Sequence, residues 1–349
     1  MSISMEVFMS EKVVVSVDAM GGDNAPEELV KGAVEALNQR DNLFIKLVGD
    51  ETAIKNELSK YEYKKDMLEI VHTTQIIETG EHPVEAVRSK KDSSMVVGLK
   101  QVKNGEADAF VSAGSSGALL VGGQTIVGRL KGIERPPLAP LIPTAKGVSL
   151  LIDCGANVDA KPSYLVQFAK VGSIYMENIV GVKNPKIALV NIGAEEEKGN
   201  ALTKETFQLL KNLPDINFIG NIEARDIPNG DADVIVCDAF VGNVILKLYE
   251  GLAGTLLKEI KAGMVSSLRS KIGALLVKPA LKKTLKSFNA DEYGGAPLLG
   301  LKGLVVKTHG NSKSMEVRQS ILNAIKFKEQ RINEQIKEHI SDVHDVKEV

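Results

Sequence analysis

Six short stretches of this chain combine glycine with amide, hydroxyl, carboxylate or ammonium groups in patterns suited to handling an anion. The first runs Asp18-Ala19-Met20-Gly21-Gly22-Asp23-Asn24, followed at once by Ala25-Pro26. Gly21 and Gly22 permit positive φ and close backbone approach, so exposed N–H groups there can cradle a negative charge. The same residues also read as a tight strand-to-helix turn, capped by Asp23 or Asn24, with Pro26 in the first helical turn. The second stretch, Ser112–Ala118, sets Ser115, Ser116 and Gly117 at a helix start, which is either a phosphate nest or a serine cap. It is not a Walker loop, because no Gly-Lys-Ser/Thr follows, and it lacks the G-x-G-x-x-G spacing of a dinucleotide site.

The remaining four carry more charge. Asp153–Pro162 gathers Asn157, two aspartates and Lys161. Asn191–Asn200 places Lys198 and Asn200 behind three glutamates, a run that also reads as a solvated face. Asn221–Asp226 supplies Glu223 and Arg225, and Asp238–Asn243 opens a long helical pattern with Asn243 near its start. Other chemistries are excluded by pattern. There is no G-x-S-x-G elbow and no H-E-x-x-H pair, and the five histidines do not cluster with carboxylates at metal spacing, so no metal is expected. His309, in the loop after the last strand, reads as a structural hydrogen-bonding residue. Cys154 and Cys237 read as small buried hydrophobes rather than nucleophiles. Two cysteines build neither a disulfide framework nor a cysteine-rich zinc site, which points to a reducing cytoplasm.

The elements that must position these loops alternate along the chain. Apolar runs at Val13–Asp18, Phe44–Gly49, Leu68–His72, Ala109–Ala113, Val148–Asp153, Lys186–Asn191, Asn217–Gly220, Val234–Asp238 and Leu304–Lys307 read as strands. Several lack polar alternation, as expected of strands covered on both faces. Helical patterns fall at 26–39, 51–60, 83–104, 115–129, 162–179, 203–212 and 241–270. This rhythm predicts a three-layer α/β/α fold with a mainly parallel sheet, and one carboxyl edge carrying all six loops. Residues 1–349 are read as one continuous α/β domain, with 1–12 an extension and 340–349 a polar tail. Within it, 241–290 form long helices broken at Pro279, and a last helix begins near Ser312.

Composition narrows the function classes. The chain has 349 residues, 44% hydrophobic and 25% charged, with a net charge of −2. Such a balance gives no global field for nucleic acid. No run approaches the ~18 apolar residues of a bilayer span, and the first residues do not read as a signal peptide. A peripheral membrane role stays open. Residues 255–290 hold eight basic residues against Glu259, a local net charge of +7, interleaved with apolar residues that include Leu275, Leu276 and Val277. A basic, apolar helical pair suits contact with an anionic lipid surface, or else an apolar dimer seal with its lysines in water.

Taken in order, the segments VDAMGGD, SSMVVGLKQV, SAGSSGALL, GRLKGIERPPLAP, LIDCGANVDAKPSYLVQFA, GNALTKETF, NFIGNIEARD, DAFVGNVILKLYEG, EYGGAPLLGLKG and KTHGNS resemble the phosphate acyltransferase (PlsX) family over about residues 13–314. Asn24, Ser115-Ser116 and Ala239 depart from residues common in that family. The resemblance implies an isocitrate/isopropylmalate dehydrogenase-like fold with a protruding helical pair. It implies fatty acyl transfer from acyl carrier protein to inorganic phosphate, giving acyl phosphate for phosphatidic acid and phospholipid synthesis, with no cofactor. It also implies a cytoplasmic homodimer associated peripherally with membrane, with a membrane-bound glycerol-3-phosphate acyltransferase as a possible partner. By residue, it implies Lys198 and Asn243 as catalytic. Asp18, Gly21, Gly22, Ser115, Ser116, Gly117, Asn157, Asn200, Glu223, Arg225 and Asp238 are implied in phosphate or substrate binding. The alternatives are an NAD(P)-dependent decarboxylating dehydrogenase, by fold analogy alone, and a non-catalytic scaffold that binds acyl carrier protein.

Overall fold

A computed structural model describes residues 12–287 and 293–341. The N-terminal extension up to residue 11 and the tail beyond 341 therefore lie outside the described residues. In chain order the strands are β1 (Val13–Asp18), β2 (Leu43–Gly49), β3 (Leu68–His72), β4 (Ala109–Ser112), β5 (Leu141–Thr144), β6 (Gly147–Ile152), β7 (Lys186–Asn191), β8 (Asn217–Glu223), β9 (Val234–Val236), β10 (Ala296–Leu298) and β11 (Leu304–Lys307). The α-helices are α1 (Glu27–Leu37), α2 (Glu51–Leu58), α3 (Pro83–Ser89), α4 (Ser94–Lys103), α5 (Ser116–Gly122), α6 (Pro162–Tyr175), α7 (Ala201–Lys211), α8 (Ala239–Val265), α9 (Leu268–Ser287), α10 (Ser314–Glu329) and α11 (Ile332–Ser341). Single π turns at Gly123–Val127 and Met176–Val180 extend α5 and α6.

These elements form two compact units. The first comprises residues up to Gly128 together with Lys302–Glu329; the second comprises Arg129–Leu301 and the residues from Gln330 onward. In the first, β11, β4, β1, β2 and β3 lie side by side in that order, all parallel. In the second, the order is β5-β6-β9-β7-β8; only β5 runs antiparallel, against β6. The strands are valine- and isoleucine-rich because both faces are covered, and Val15, Val17, Ile187 and Leu189 are fully buried.

The parallel α/β class agrees with the sequence expectation, but the six loops do not share one edge. They divide between two sheets, because the chain leaves the first unit at Gly128 and re-enters it only at Lys302. Four local expectations are also corrected. The helix over 83–104 is two helices, because Ser93 caps a new start and its Oγ accepts the Val96 N–H at 3.3 Å. The long helical pair breaks at Ser266–Ser267 and not at Pro279, which lies inside α9. Ser266 Oγ donates to Gly263 O at 2.7 Å and Ser267 Oγ accepts the Ser270 N–H at 3.1 Å, so both hydroxyls compete with the helical backbone pattern. The last helix divides at Arg331, which has a positive φ. Finally, Ala239–Val265 contains an 18-residue window long and apolar enough, by length and composition only, to cross a membrane, although the helix carries Lys247, Glu250, Lys258, Glu259 and Lys261.

Candidate functional site

In the second unit, parallel pairing brings the carboxyl ends of β6, β9, β7 and β8 to one edge, in that spatial order. Four loops follow from it: Asp153–Lys161, Cys237–Asn243, Ile192–Asn200 and Glu223–Asp226. Lys198 thus stands on the loop that leaves β7, and Asn243 in the first turns of α8, which follows the neighbouring strand β9. Both are exposed. Asn191 holds the loop after β7 by donating its amide to Lys198 O at 3.1 Å. The Lys198 ammonium makes no ion pair among the described residues, whereas nearby Glu196 is tied to Lys211 at 2.8 Å. An exposed, unpaired cation is available to an anion from solvent.

Several predicted ligands have a local job in the fold. Asn200 caps α7, its Oδ1 accepting the Thr203 N–H at 2.9 Å, and Asp238 caps α8, its Oδ1 accepting the Val241 N–H at 2.9 Å. Both follow the ordinary N-cap rule, a side-chain oxygen satisfying a donor of the first turn. Asn157 is buried, with its amide donating to Asp153 Oδ2 at 2.7 Å and Pro136 O at 3.1 Å. Glu223, half-buried, accepts from the exposed Arg225 at 3.0 Å.

In the sequence Asp153 counts among the carboxylates of its loop, with no role as a site residue. It is fully buried at the end of β6; its Oδ1 accepts the N–H groups of Leu138 (3.0 Å) and Ala156 (3.1 Å), and its Oδ2 that of Asn157 (2.9 Å). Burial pushes its carboxyl up to about 6, and these hydrogen bonds oppose the rise only in part. The one available signal was position: an aspartate directly after a buried strand. Burial also pushes up the thiols of Cys154 and Cys237, whose S–H groups face Leu151 O and Asp153 O at 3.6 Å. The thiolate needed for nucleophilic attack is thereby disfavoured, consistent with reading both as core residues.

The first unit gathers a second edge, where β11, β4 and β1 end side by side. Asp18 is buried; its Oδ2 accepts the Ser112 hydroxyl at 2.7 Å and its Oδ1 the Met20 N–H at 3.2 Å. Ser112 Oγ in turn accepts the Gly114 N–H at 3.0 Å. Burial raises the Asp18 carboxyl, with Ser112 and Ser94 opposing it. Asp18 therefore ties the two glycine loops together from beneath and does not reach outward itself. Gly22 has φ +95°, and a Cβ there would sit 2.8 Å from both Ala113 Cβ and Gly310 O. The loop closes through Asp23 N–H to Gly310 O at 2.7 Å. Ser115 caps α5 while Ser116 stays exposed, and a Cβ on Gly117 would meet Pro83 at 2.6 Å. His309 is held through its backbone, its N–H donating to Glu316 at 3.2 Å.

Comparison with known proteins follows the same lines. Residues 13–335 match the family model described as fatty acid synthesis protein. The chain is 51% identical over 326 residues to a phosphate acyltransferase of Clostridium novyi (strain NT), covering 93% of this chain and 98% of the relative. It is 53% identical over 331 residues to a phosphate acyltransferase of Alkaliphilus oremlandii (strain OhILAs), covering 95% and 98%. Among solved structures, a phosphotransacetylase from Streptococcus pyogenes aligns with TM-score 0.60 at 19% identity, covering 91% of this chain and 94% of that one. The EutD phosphotransacetylase from Staphylococcus aureus aligns with TM-score 0.57 at 16% identity, with the same coverage. These two likenesses establish a shared fold; the sequence matches establish kinship, and the chain belongs to the phosphate acyltransferase family, a family of acyl-transferring enzymes.

Proposed function

We propose that this chain transfers a fatty acyl group from an acyl-carrier-protein thioester to inorganic phosphate, and that the acyl phosphate supplies phospholipid synthesis toward phosphatidic acid. The observation that carries this reading is identity near one half, over almost the whole chain, with relatives named phosphate acyltransferase. A phosphate oxygen attacks the thioester carbonyl carbon, a C–O bond forms, and the C–S bond breaks to release a thiolate that takes up a proton. Phosphate is already nucleophilic and the thiolate leaves readily, so the protein's task is to position the reactants and stabilise charge. Lys198, exposed and without an ion pair among the described residues, neutralises phosphate or polarises the thioester oxygen. Asn243, in the second turn of α8, donates to the tetrahedral oxyanion. Asn157, Asn200, Glu223, Arg225 and Asp238 frame that edge. In the first unit, Gly21, Gly22, Ser115, Ser116 and Gly117 form an anion-binding edge, with Asp18 beneath it.

The same reading makes the protein a cytoplasmic homodimer held peripherally at an anionic membrane through α8 and α9, delivering product to a membrane-bound glycerol-3-phosphate acyltransferase. Exposed Leu275, Leu276 and Val277 on α9 support this. The test is mass-spectrometric detection of acyl phosphate after incubation with phosphate and either acyl carrier protein or coenzyme A thioesters. Acyl phosphate formed preferentially from the carrier-protein donor is expected. No acyl phosphate from either donor would leave the carrier-protein-binding scaffold in its place.

A further inference from the structure

Besides its own Asp238 cap and the core packing of Val241, the start of α8 is held by contacts from residues 153–157. Asn157 O accepts the Ala239 N–H at 3.1 Å, from the first residue of the helix. The carboxylate of Asp153 holds Asn157 twice, through its backbone N–H at 2.9 Å and its side-chain amide at 2.7 Å. Pro136 O takes the other amide proton of Asn157 at 3.1 Å, so both donors of that amide are used inside the protein. On the far side of the helix start, a Cβ on Gly242 would lie 1.9 Å from Asp153 O. The first turn of α8 is thus pressed onto the Asp153 carbonyl. Asp153 N–H donates to Cys237 O at 3.0 Å and Cys237 N–H to Ile152 O at 2.8 Å, tying the strand ends on which both segments begin. Asn243 follows Gly242 directly. Its place is therefore set by contacts made one residue earlier and at the helix start.

From this we infer that Asp153 and Asn157 are positioning residues for Asn243. They act as a clamp that fixes the first turns of α8, and Asn157 does not itself bind substrate. The inference rests on the reading of Asn243 as an oxyanion donor. An oxyanion donor works only when its amide lies within hydrogen-bond distance of the place where charge develops. A displacement on the order of 1 Å costs roughly 10²-fold in rate. A positioning role predicts loss in kcat with KM for phosphate nearly unchanged, since no phosphate contact is removed.

A double-mutant cycle on the full-length enzyme tests this, with kcat and KM for phosphate measured for Asn157→Ala, Asp153→Asn, Asn243→Ala and the two doubles that include Asn243→Ala. The conservative variant Asn157→Ser retains a hydroxyl donor toward Asp153. Expected are a kcat loss of about 10²-fold in each clamp variant, little further loss when Asn243 is already alanine, and partial rescue in Asn157→Ser. Near-additive losses in the doubles would show that the clamp does not act through Asn243 and would overturn the inference while leaving the reading of Asn243 standing. A raised phosphate KM with normal kcat in Asn157→Ala would make Asn157 a ligand and overturn it as well. Normal turnover in Asn243→Ala alone would remove the reading of Asn243 and the inference with it. If Asp153→Asn does not fold, the Asn157 variants complete the cycle without it.

Discussion

A methyl group added to Gly242 would overlap a backbone carbonyl, the one neighbour that cannot swing aside. Forced overpacking of this kind costs typically about 1–3 kcal/mol. Gly242→Ala should therefore lower the urea midpoint and reduce turnover together, whereas Lys198→Ala and Asn243→Ala, both at exposed positions, should leave the midpoint unchanged. For those two the loss should appear in turnover, by roughly 10²–10³ if each serves a developing charge. Near-normal turnover in either would take that residue out of the mechanism. Buried carboxylates give a separate, signed expectation. The native carboxyl of Asp153 is pushed by burial from the ordinary 3.8 to about 6. Between those values the native state binds the proton more tightly than the unfolded chain, so this residue makes stability fall as pH rises through the window, with no further change above it. Asp18 is raised by burial and contributes with the same sign. Asp41, Glu51, Asp92 and Asp231 are lowered by hydrogen-bonding partners, so their contribution has the opposite sign but falls toward the acid side of this window, and they lie at the solvated surface where such pairs are weak. Chemical denaturation of wild type and Asp153→Asn across this range checks the sign: the difference in stability should move in favour of the variant as pH rises. A constant difference would mean that Asp153 does not titrate there.

Helix α8 has two characters along its length. Val241, Ile245, Leu246 and Tyr249 pack against the core of the second unit, and the Tyr249 hydroxyl donates to Pro143 O at 2.8 Å. Beyond them Leu252, Leu256, Leu257, Ile260 and Val265 are exposed, and α9 continues with Leu268, Ile272, Leu275 and Leu276, the last two 71% and 76% exposed. Such extended apolar surface marks an interaction face. Lysines among these residues add roughly 1 kcal/mol each near an anionic leaflet, an attraction that salt screens. The double change Leu275→Glu with Leu276→Glu should abolish cosedimentation with anionic vesicles while leaving the oligomeric mass and turnover on soluble substrate intact. Unchanged vesicle binding, or a change of mass instead, would defeat the membrane reading; the Lys283 and Lys286 side chains lie outside the described residues. Elements of this sort show clearly how far the sequence was legible. Val13–Asp18, Lys186–Asn191 and Leu304–Lys307 match observed strands end for end, because largely buried parallel strands leave near-continuous apolar runs, and the half-buried edge strand Leu68–His72 matches as well. The antiparallel edge strand β5 went unread because it contains Pro143 in a proline-rich stretch, a composition that argues against a strand except at an edge. The break between α8 and α9 was misplaced because a proline is a conspicuous breaker in sequence, whereas two serines act only through the bonds their hydroxyls make in place.

Assignment of strands to sheets is a property of the whole chain, and strand–helix alternation does not encode it. Each loop was recognisable as the carboxyl end of a strand, yet Lys198, Asn243 and Glu223 sit on one sheet and Gly21, Gly22 and Ser115 on another, because residues 129–301 build a unit of their own. Residue types at strand ends were enough to name candidates; their division into two edges required the pairing. The supporting role of the carboxylates was the least legible: Asp18 reads as a ligand in the sequence but holds the Ser112 hydroxyl from beneath, and Asp153 works through backbone N–H groups that no spacing rule reveals. Quaternary structure is argued from the same large-scale view. Val244, Leu248, Leu252, Leu256 and Ile260 recur every four residues and are all exposed, from 44% to 67%. This row is an i, i+4 ridge that winds gradually around α8, the kind of ridge that interdigitates when one helix packs on another. A second copy of the chain is the expected occupant, by the same symmetry logic that makes twofold self-association the commonest assembly. Light scattering at micromolar concentration should give twice the 37.6 kDa chain mass. The paired change Leu252→Glu with Leu256→Glu places like charges on both sides of a twofold contact, so it should shift that mass toward the monomer. The same change should leave the urea midpoint nearly unaltered at low protein concentration, because neither side chain is buried within its own subunit. A dimer that persists in this variant would move the interface away from α8, and a monomeric wild type would remove the dimer altogether.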